Sequence, residues 1–447
     1  MQQHSNKYLP AYAAVTTLFF AWGFITSLID PLVASVKGIF SLSDVEAQLS
    51  ASAFFIAYGV MSFPAAKLVA RCKSVPTILI ALGVMITGCL MMLVAANIEI
   101  YALVLLGLFI LASGITALQV AANPLAAALG SPEGSHFRLT FSQTFNSLGT
   151  FIGPLIGAKL FLDGLEVKAG TEITEEVRAS ALAGIDFAYF WLTGMIAILL
   201  GFFFFTRNTV GEAAPASSAG NRGIISMFAE AVSAKWALLG GLGIFLYVGA
   251  EVAIGTQMAF FLNSDAIWGL SDAAFQFPLI SWLVASDGVA GISLQEAAGM
   301  TSLYWGGAMV GRLIGSALLF KFNAARLLTI FTAMTTAMCL YVFTVGGVSA
   351  GFVALSIGLF NSIMFPVIFT LTLERSSASS EATSGFLCTS IIGGAFIPPL
   401  VGLVSQHSNY VTAFIVPAAC YAALCLFAWC AGKVKATHAA GEVTASH

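Results

Sequence analysis

Long apolar runs follow one another along this chain, most of them 20 residues or more, with short polar breaks between them. They are continuous rather than alternating, which argues for helices over barrel strands. A helix needs about 20 apolar residues to cross the roughly 30 Å hydrocarbon layer. The pattern predicts twelve spans, at 9–36, 48–70, 75–97, 100–129, 139–162, 184–206, 236–262, 295–320, 326–347, 350–373, 382–404 and 411–432. The expected class is an all-α polytopic membrane protein. No cleavable signal peptide is expected, because the first run is too long and only Lys7 precedes it as a basic residue.

Composition agrees. Of 447 residues, 59% are hydrophobic and 9% are charged, with a formal net charge of −3. Soluble domains carry about 25% charged residues. This excludes a soluble globule, a disordered chain and a nucleic-acid binder. Six of the seven cysteines (Cys89, Cys339, Cys388, Cys420, Cys425, Cys430) lie inside apolar runs, without disulfide or metal-ligand spacing, and read as small apolar packers. No metal site is expected.

With the N-terminus placed in the cytoplasm, 14 of the 18 Lys and Arg fall at or towards the inside, and only Lys37, Lys159, Lys168 and Arg178 fall outside. That asymmetry predicts an even number of spans with both termini cytoplasmic, in the inner (cell) membrane. The stretch 163–186, rich in Asp and Glu, becomes an exposed acidic loop.

After the sixth span the character changes. Residues 208–235 are small, polar and flexible, and read as a cytoplasmic linker between 1–207 and 236–447. The two parts echo each other. Residues 149–157 read GTFIGPLIG and 394–402 read GAFIPPLVG, identical at six of nine positions and 245 residues apart. Pro124 and Pro366 sit at similar points of the fourth and tenth spans. Two pseudo-symmetric six-helix bundles around a shared midplane cavity are the expected architecture, that of alternating-access carriers. Residues 263–294 form a long loop whose apolar run Phe277–Ala285 is too short to span. An interfacial helix is preferred there to a lid.

Charge inside a span is expensive and therefore informative. Two carboxylates qualify, Asp30 on the first span and Glu251 near the middle of the seventh. Arg312, towards the inner end of the eighth, reads as a gate or packing ion, with snorkelling to the interface as the plain alternative. Trp22, Gly23 and Thr26 share a helix face with Asp30. A carboxylate, a hydroxyl and an indole on one face suit a polyhydroxylated ligand, the indole covering an apolar face of the ring. Gln119 and Asn123 lie one turn apart on the fourth span, and Gln143 and Asn146 on the fifth. Amides donate and accept, as sugar hydroxyls require, and they also join helices. Gln257 and Asn361 are weaker candidates from the second half.

At these residues the chain resembles a known family. Ala122-Asn123-Pro124, His136-Phe137-Arg138 and Gln143-Thr144-Phe145-Asn146-Ser147, with Trp22 eight residues before Asp30, look like the fucose–proton symporter family of the major facilitator superfamily. The run from Gly249 to Gly255 resembles its glucose/galactose branch, which is similar to N-acetylglucosamine permeases. The resemblance covers essentially all twelve spans and implies the major facilitator fold. It implies that Asp30 matches the protonation and sugar-linked acid, Trp22 the family tryptophan, and Gln143 and Asn146 the fifth-span amides. Two positions depart. Gln119 stands where fucose permeases have a glutamate, and Phe365 where they have a tyrosine. A two-acid relay and fucose as substrate are thereby put in doubt. Glu251 is an acid where the fucose type has glutamine.

The expected activity is monosaccharide:cation symport by alternating access, importing hexoses such as glucose and galactose or N-acetylglucosamine. The coupling ion is H⁺, with Na⁺ as the alternative, and Asp30 and Glu251 are the cation-coupling candidates. No cofactor beyond the co-transported ion is expected. The expected partners are a sugar and the lipid bilayer, and the chain is read as monomeric. A drug/proton antiporter of the same fold is the nearest competitor, and a sensor on a carrier scaffold is a weaker one. An enzyme is not expected, since HExxH, CxxC, GxSxG and P-loop patterns are absent.

Overall fold

The computed structural model describes residues 2–28, 32, 40, 44–162, 175–214, 223–269, 291–292 and 294–436. Its regular elements are helices. In chain order they are α1 (Gln2–Ser27), α2 (Asp44–Cys72), α3 (Ser74–Ile98), α4 (Tyr101–Ala128), α5 (Ser135–Leu162), α6 (Glu175–Ala213), α7 (Ile224–Ser233) and α8 (Lys235–Asn263). There follow α9 (Leu294–Leu319), α10 (Ala324–Val345), α11 (Gly347–Asn361), α12 (Met364–Arg375), α13 (Ser380–Thr389), α14 (Gly393–His407), α15 (Tyr410–Ala413) and α16 (Ile415–Lys433).

Ten helical stretches among the described residues are long and apolar enough to cross a membrane. The fifth and eighth expected spans coincide with α5 and α9, of 28 and 26 residues. At 1.5 Å per residue these also exceed a bilayer core, at roughly 40 Å each. They are the spans that carry Gln143, Asn146 and Arg312. Helix thus occupies part or all of each of the twelve expected spans, the tenth, eleventh and twelfth being built from two helices each.

Four local expectations are revised. The acidic segment 163–186 is not all loop, since α6 already begins at Glu175 and residues 163–174 lie outside the described residues. The linker 208–235 contains a helix, α7. The loop 263–294 opens with a helical turn, Asp265–Gly269, whose Trp268 is buried against Gly351 and Phe352. Its run Phe277–Ala285 lies outside the described residues. The tenth span is two helices, α11 and α12, broken at Ser362–Ile363.

The break in the tenth span has a local cause. Proline has no N–H and its ring crowds the carbonyl four residues earlier. Pro366 therefore leaves the Ser362 carbonyl without its helical donor. The guanidinium Nε of Arg312, on α9, donates to that carbonyl at 2.9 Å. In the fourth span Pro124 similarly strips the Val120 carbonyl, and the Ser384 hydroxyl on α13 donates to it at 3.2 Å. Buried backbone polar groups in hydrocarbon must be satisfied. In both spans a side chain from another helix does so.

The chain packs as two compact units. One comprises Met1–Gly241 together with Thr372–Ser390, and the other Leu242–Leu371 together with Ile391–Ala436. Within the first, α1 and α5 cross at backbone contact. A methyl group on Gly149 would lie 2.5 Å from both the Phe20 carbonyl oxygen and the Phe24 nitrogen, and one on Gly153 would strike Ser27. Within the second, α8 and α14 meet in the same way, Gly393 lying against the Phe245 carbonyl and Gly249 against Ile397. Small residues allow such close crossings where no hydrophobic force joins helices in lipid. Gly149 and Gly393 lie at and beside the ends of the nonapeptide repeat, so the internal echo in the sequence corresponds to a repeated helix crossing.

Candidate functional site

In the first unit, α1, α2, α4 and α5 bring polar groups together. Trp22 is buried, 3% exposed, towards the C-terminal end of α1. With its amide oxygen turned to α1, the orientation its neighbours require, Asn146 accepts from the Trp22 indole N–H at 2.7 Å and from the Gly23 N–H at 3.2 Å. The absence of a side chain at Gly23 is what admits Asn146, because a Cβ there would overlap its backbone and amide. The predicted aromatic and the predicted fifth-span amide thus form one unit across the α1–α5 crossing. Thr26, one turn further along α1, has a buried hydroxyl with no hydrogen-bond partner.

The other amides pair differently. Gln143 Nε2 donates to Asn123 Oδ1 at 3.4 Å, and both side chains are buried. The Asn123 amide nitrogen is buried with no hydrogen-bond partner. Gln119 does not join that pair. Its Nε2 donates to the Tyr58 hydroxyl on α2 at 2.7 Å. Asp30 lies outside the described residues.

The second unit holds the remaining predicted residues. Glu251 is on α8 and Arg312 on α9, with Glu251 Oε1 at 3.8 Å from Arg312 Nη2. Arg312 is 7% exposed and reaches into the protein, so it does not snorkel to the interface. The phenol of Tyr247, one turn before Glu251, lies against both charges. Asn361, at the end of α11, is fully buried, and its Nδ2 donates to the Tyr304 hydroxyl at 2.7 Å. Tyr304 in turn donates to the Glu251 backbone carbonyl at 3.1 Å. Glu251 Oε1 and Asn361 Oδ1 are buried without a hydrogen-bond partner. Gln257 lies apart and donates weakly to the Pro398 carbonyl at 3.4 Å. The chemistry on offer is acceptor-rich, with a carboxylate, an amide oxygen and phenols around one guanidinium.

Two tyrosines of these sites escaped the sequence reading. Tyr58 and Tyr304 lie inside apolar spans, where a phenol passes for a core aromatic. A signal existed, because they are 246 residues apart, next to the 245 of the nonapeptide repeat. Each receives a bond from an amide, Gln119 in one half and Asn361 in the other, 242 residues apart.

A further cluster joins Thr372–Ser390 to the rest of the first unit. His136 Nε2 lies 3.0 Å from Glu374 Oε1, and Arg375 Nη1 lies 2.9 Å from Glu374 Oε2. The motif His136-Phe137-Arg138 therefore divides its work. His136 reaches Glu374, whereas the Arg138 guanidinium turns back and donates to the Ala127 carbonyl at the end of α4. That arginine closes the C-terminal turn of α4, where carbonyls lack helical donors.

Comparison with known proteins places this architecture. The chain is 38% identical over 420 residues to a glucose/galactose transporter of Brucella abortus, covering 93% of each chain. It is 29% identical over 440 residues to the L-fucose-proton symporter of Escherichia coli, covering 95% of this chain and 93% of that one. Among solved structures it matches a crystal structure of the E. coli fucose:proton symporter FucP with a TM-score of 0.78 and 25% identity, over 95% of this chain and 99% of that one. These relatives are transporters, not enzymes. The Major Facilitator Superfamily profile matches residues 14–383. Ten apolar helical stretches of spanning length among the described residues, polar groups buried within the helices, a repeated glycine crossing in the two halves and that match lead to one assignment: the chain is a multi-pass membrane transporter and belongs to the Major Facilitator Superfamily.

Proposed function

We propose that the protein imports a monosaccharide, glucose, galactose or N-acetylglucosamine, together with a proton, by alternating access. The observation that carries this reading is the buried amide set of the first unit. Asn123 and Gln143 share one long bond and Asn123 keeps an unbonded buried donor, while the indole of Trp22 is fixed by Asn146. Hydrogen-bonding capacity left over in an apolar span is costly unless a ligand uses it. A sugar presents hydroxyls that both donate and accept, and a C–H face that suits an indole. The sugar-transport activities of the Brucella and E. coli relatives support the same substrate class.

Asp30 is the proposed coupling group. Desolvation in a dry cavity disfavours the ionised carboxylate. A proton from outside neutralises it, the sugar occupies Trp22, Thr26, Gln119, Asn123, Gln143 and Asn146, and the neutral, occupied carrier changes its access. One positive charge moving inward across about 100 mV supplies roughly 2.3 kcal/mol, enough for on the order of 50-fold accumulation. In this reading Glu251 is the second cation-linked acid, and Gln257 and Asn361 contribute from the other unit. The organisation as 1–207, linker and 236–447, a monomeric state, inner-membrane residence and cytoplasmic termini belong to the same proposal.

The test is uptake by proteoliposomes with a panel of labelled hexoses, with pH and sodium gradients imposed separately. Asp30→Asn is expected to abolish uphill accumulation while sparing sugar exchange. An Asp30→Asn carrier that still concentrates sugar would overturn the coupling role. Glu251→Gln with unchanged stoichiometry and pH dependence would reduce Glu251 to a structural residue.

A further inference from the structure

The linker helix α7 has two apolar faces. On one, Met227, Ala231 and the following Ala234 are buried in the first unit. On the opposite face Ile225, Phe228 and Val232 form a stripe at i, i+3 and i+7, exposed by 85%, 47% and 37%, with Ile224 beside them at 37%. One flank is polar, with Ser226, Glu230 and Ser233. In water such a stripe would leave several large apolar side chains hydrated, which is unfavourable. The residues C-terminal to α7 indicate the occupant. After Ala234 the chain enters α8, a membrane span, through exposed Lys235 and half-buried Trp236. Lys and Trp are the residues that mark the headgroup level, the one snorkelling and the other anchoring. Ten residues of helix cover only about 15 Å, too short to cross.

We infer that α7 is an interfacial helix whose Ile225 and Val232 side chains are seated in the lipid at the headgroup–acyl boundary, with half-exposed Phe228 at the edge between lipid and protein, and that it pins the start of α13 from that position. The pin is built from two contacts. Glu230 Oε1 accepts the backbone N–H of Ser379 at 2.7 Å, and Ser379 is the N-cap residue of α13. The Phe228 ring packs edge-on against Phe63 of α2 at 5.1 Å and near Phe386 of α13 at 6.2 Å. An acidic side chain beside a helix N-terminus is favourable in itself. With its far face in lipid, α7 cannot withdraw from α13 without exposing apolar surface, so the membrane surface holds the segment Thr372–Ser390. Interfacial helices of this kind bind by buried apolar area, and charge placed on the apolar face removes that binding. This inference depends on the membrane span directly after α7 and not on the proposed substrate.

The test uses the full-length protein in proteoliposomes. An environment-sensitive thiol fluorophore is placed at Ile225→Cys on the stripe or Ser226→Cys on the flank, with the parent protein's native cysteines as background. The Ile225→Cys probe is expected to be quenched several-fold more strongly by doxyl-labelled phospholipid than the Ser226→Cys probe, and more weakly by aqueous iodide. Equal iodide quenching at the two sites would place the stripe in water and overturn the proposal. Quenching by neither agent would place it under protein and overturn it as well. If Ile225→Cys does not fold, Val232→Cys carries the same expectation. For the pin, Ser379→Cys is expected to react with a hydrophilic maleimide several-fold faster once Ile225→Glu and Val232→Glu are introduced. An unchanged rate would show that lipid seating does not hold α13.

Discussion

Arg312 donates from its Nε to the backbone carbonyl of Ser362 at 2.9 Å, while its Nη2 stands 3.8 Å from the Glu251 carboxylate. The carbonyl is the one that Pro366 deprives of its helical partner. A single guanidinium thus satisfies a proline break in one span and faces a buried acid in another. Lysine keeps the charge but not the planar fork. Arg312→Lys is therefore expected to cost about 1.5–3 kcal/mol of stability. In a Pro366→Ala background residue 366 can serve the Ser362 carbonyl itself, and the cost of Arg312→Lys should fall by about 1 kcal/mol. A double-mutant cycle of thermal unfolding in detergent measures both.

The phenols of Tyr58 and Tyr304 each accept from a buried amide at 2.7 Å, Gln119 and Asn361 respectively. Removing one partner leaves a buried polar group unpaired, whereas removing both does not. Tyr58→Phe is expected to destabilise by about 1–3 kcal/mol. The pair Tyr58→Phe with Gln119→Leu should be milder than the sum of the two single changes. Unfolding midpoints of the four proteins check this, and additive losses would show that the bond does not couple α2 to α4.

Gly149 admits the α1 backbone at a distance no side chain tolerates. Gly149→Ala is expected to cost about 1–3 kcal/mol by overpacking. Gly201, in α6, has nothing within 4 Å of the position a Cβ would take. Gly201→Ala should be neutral or stabilising by about 0.5–1 kcal/mol, since alanine is the better helix former. Yield of folded protein and thermal midpoint distinguish the two.

Trp22 is held by the Asn146 amide through its indole N–H at 2.7 Å. Trp22→Phe keeps an aromatic face and removes that bond. One hydrogen bond of about 1–1.5 kcal/mol corresponds to roughly fivefold to tenfold. The half-saturating sugar concentration for uptake is expected to rise by that factor, with accumulation at saturation retained. Trp22→Ala, which also removes the apolar face, should raise it further. Equal values for the Phe and Ala variants would count against ring contact with the sugar.

Much of the fold is legible in the sequence alone, and for a physical reason. A bilayer demands about 20 apolar residues per crossing, so span positions are written locally. Even the polar spans α5 and α9 kept enough apolar length to be found. The burial of Trp22, Asn123, Gln143, Asn361 and Arg312 followed from the same rule, since polar groups in a span avoid lipid. Helix content outside the spans was less legible. Neither α7 nor the early start of α6 has the length signal of a crossing, and the small polar residues before α7 dominate the composition of its surroundings.

Partners were the province of the tertiary structure. The four first-half amides look alike in sequence, and only helix packing decided that Asn146 serves Trp22, Gln143 serves Asn123 and Gln119 serves Tyr58. Pro124 and Pro366 announce two broken helical bonds from sequence alone. That Ser384 and Arg312 repair them could not be read, because the donors lie 264 and 50 residues away. Local rules set where apolar length and missing donors occur, whereas the choice of which distant group meets them depends on helix crossings, and those are decided by glycine contacts between elements far apart in the chain.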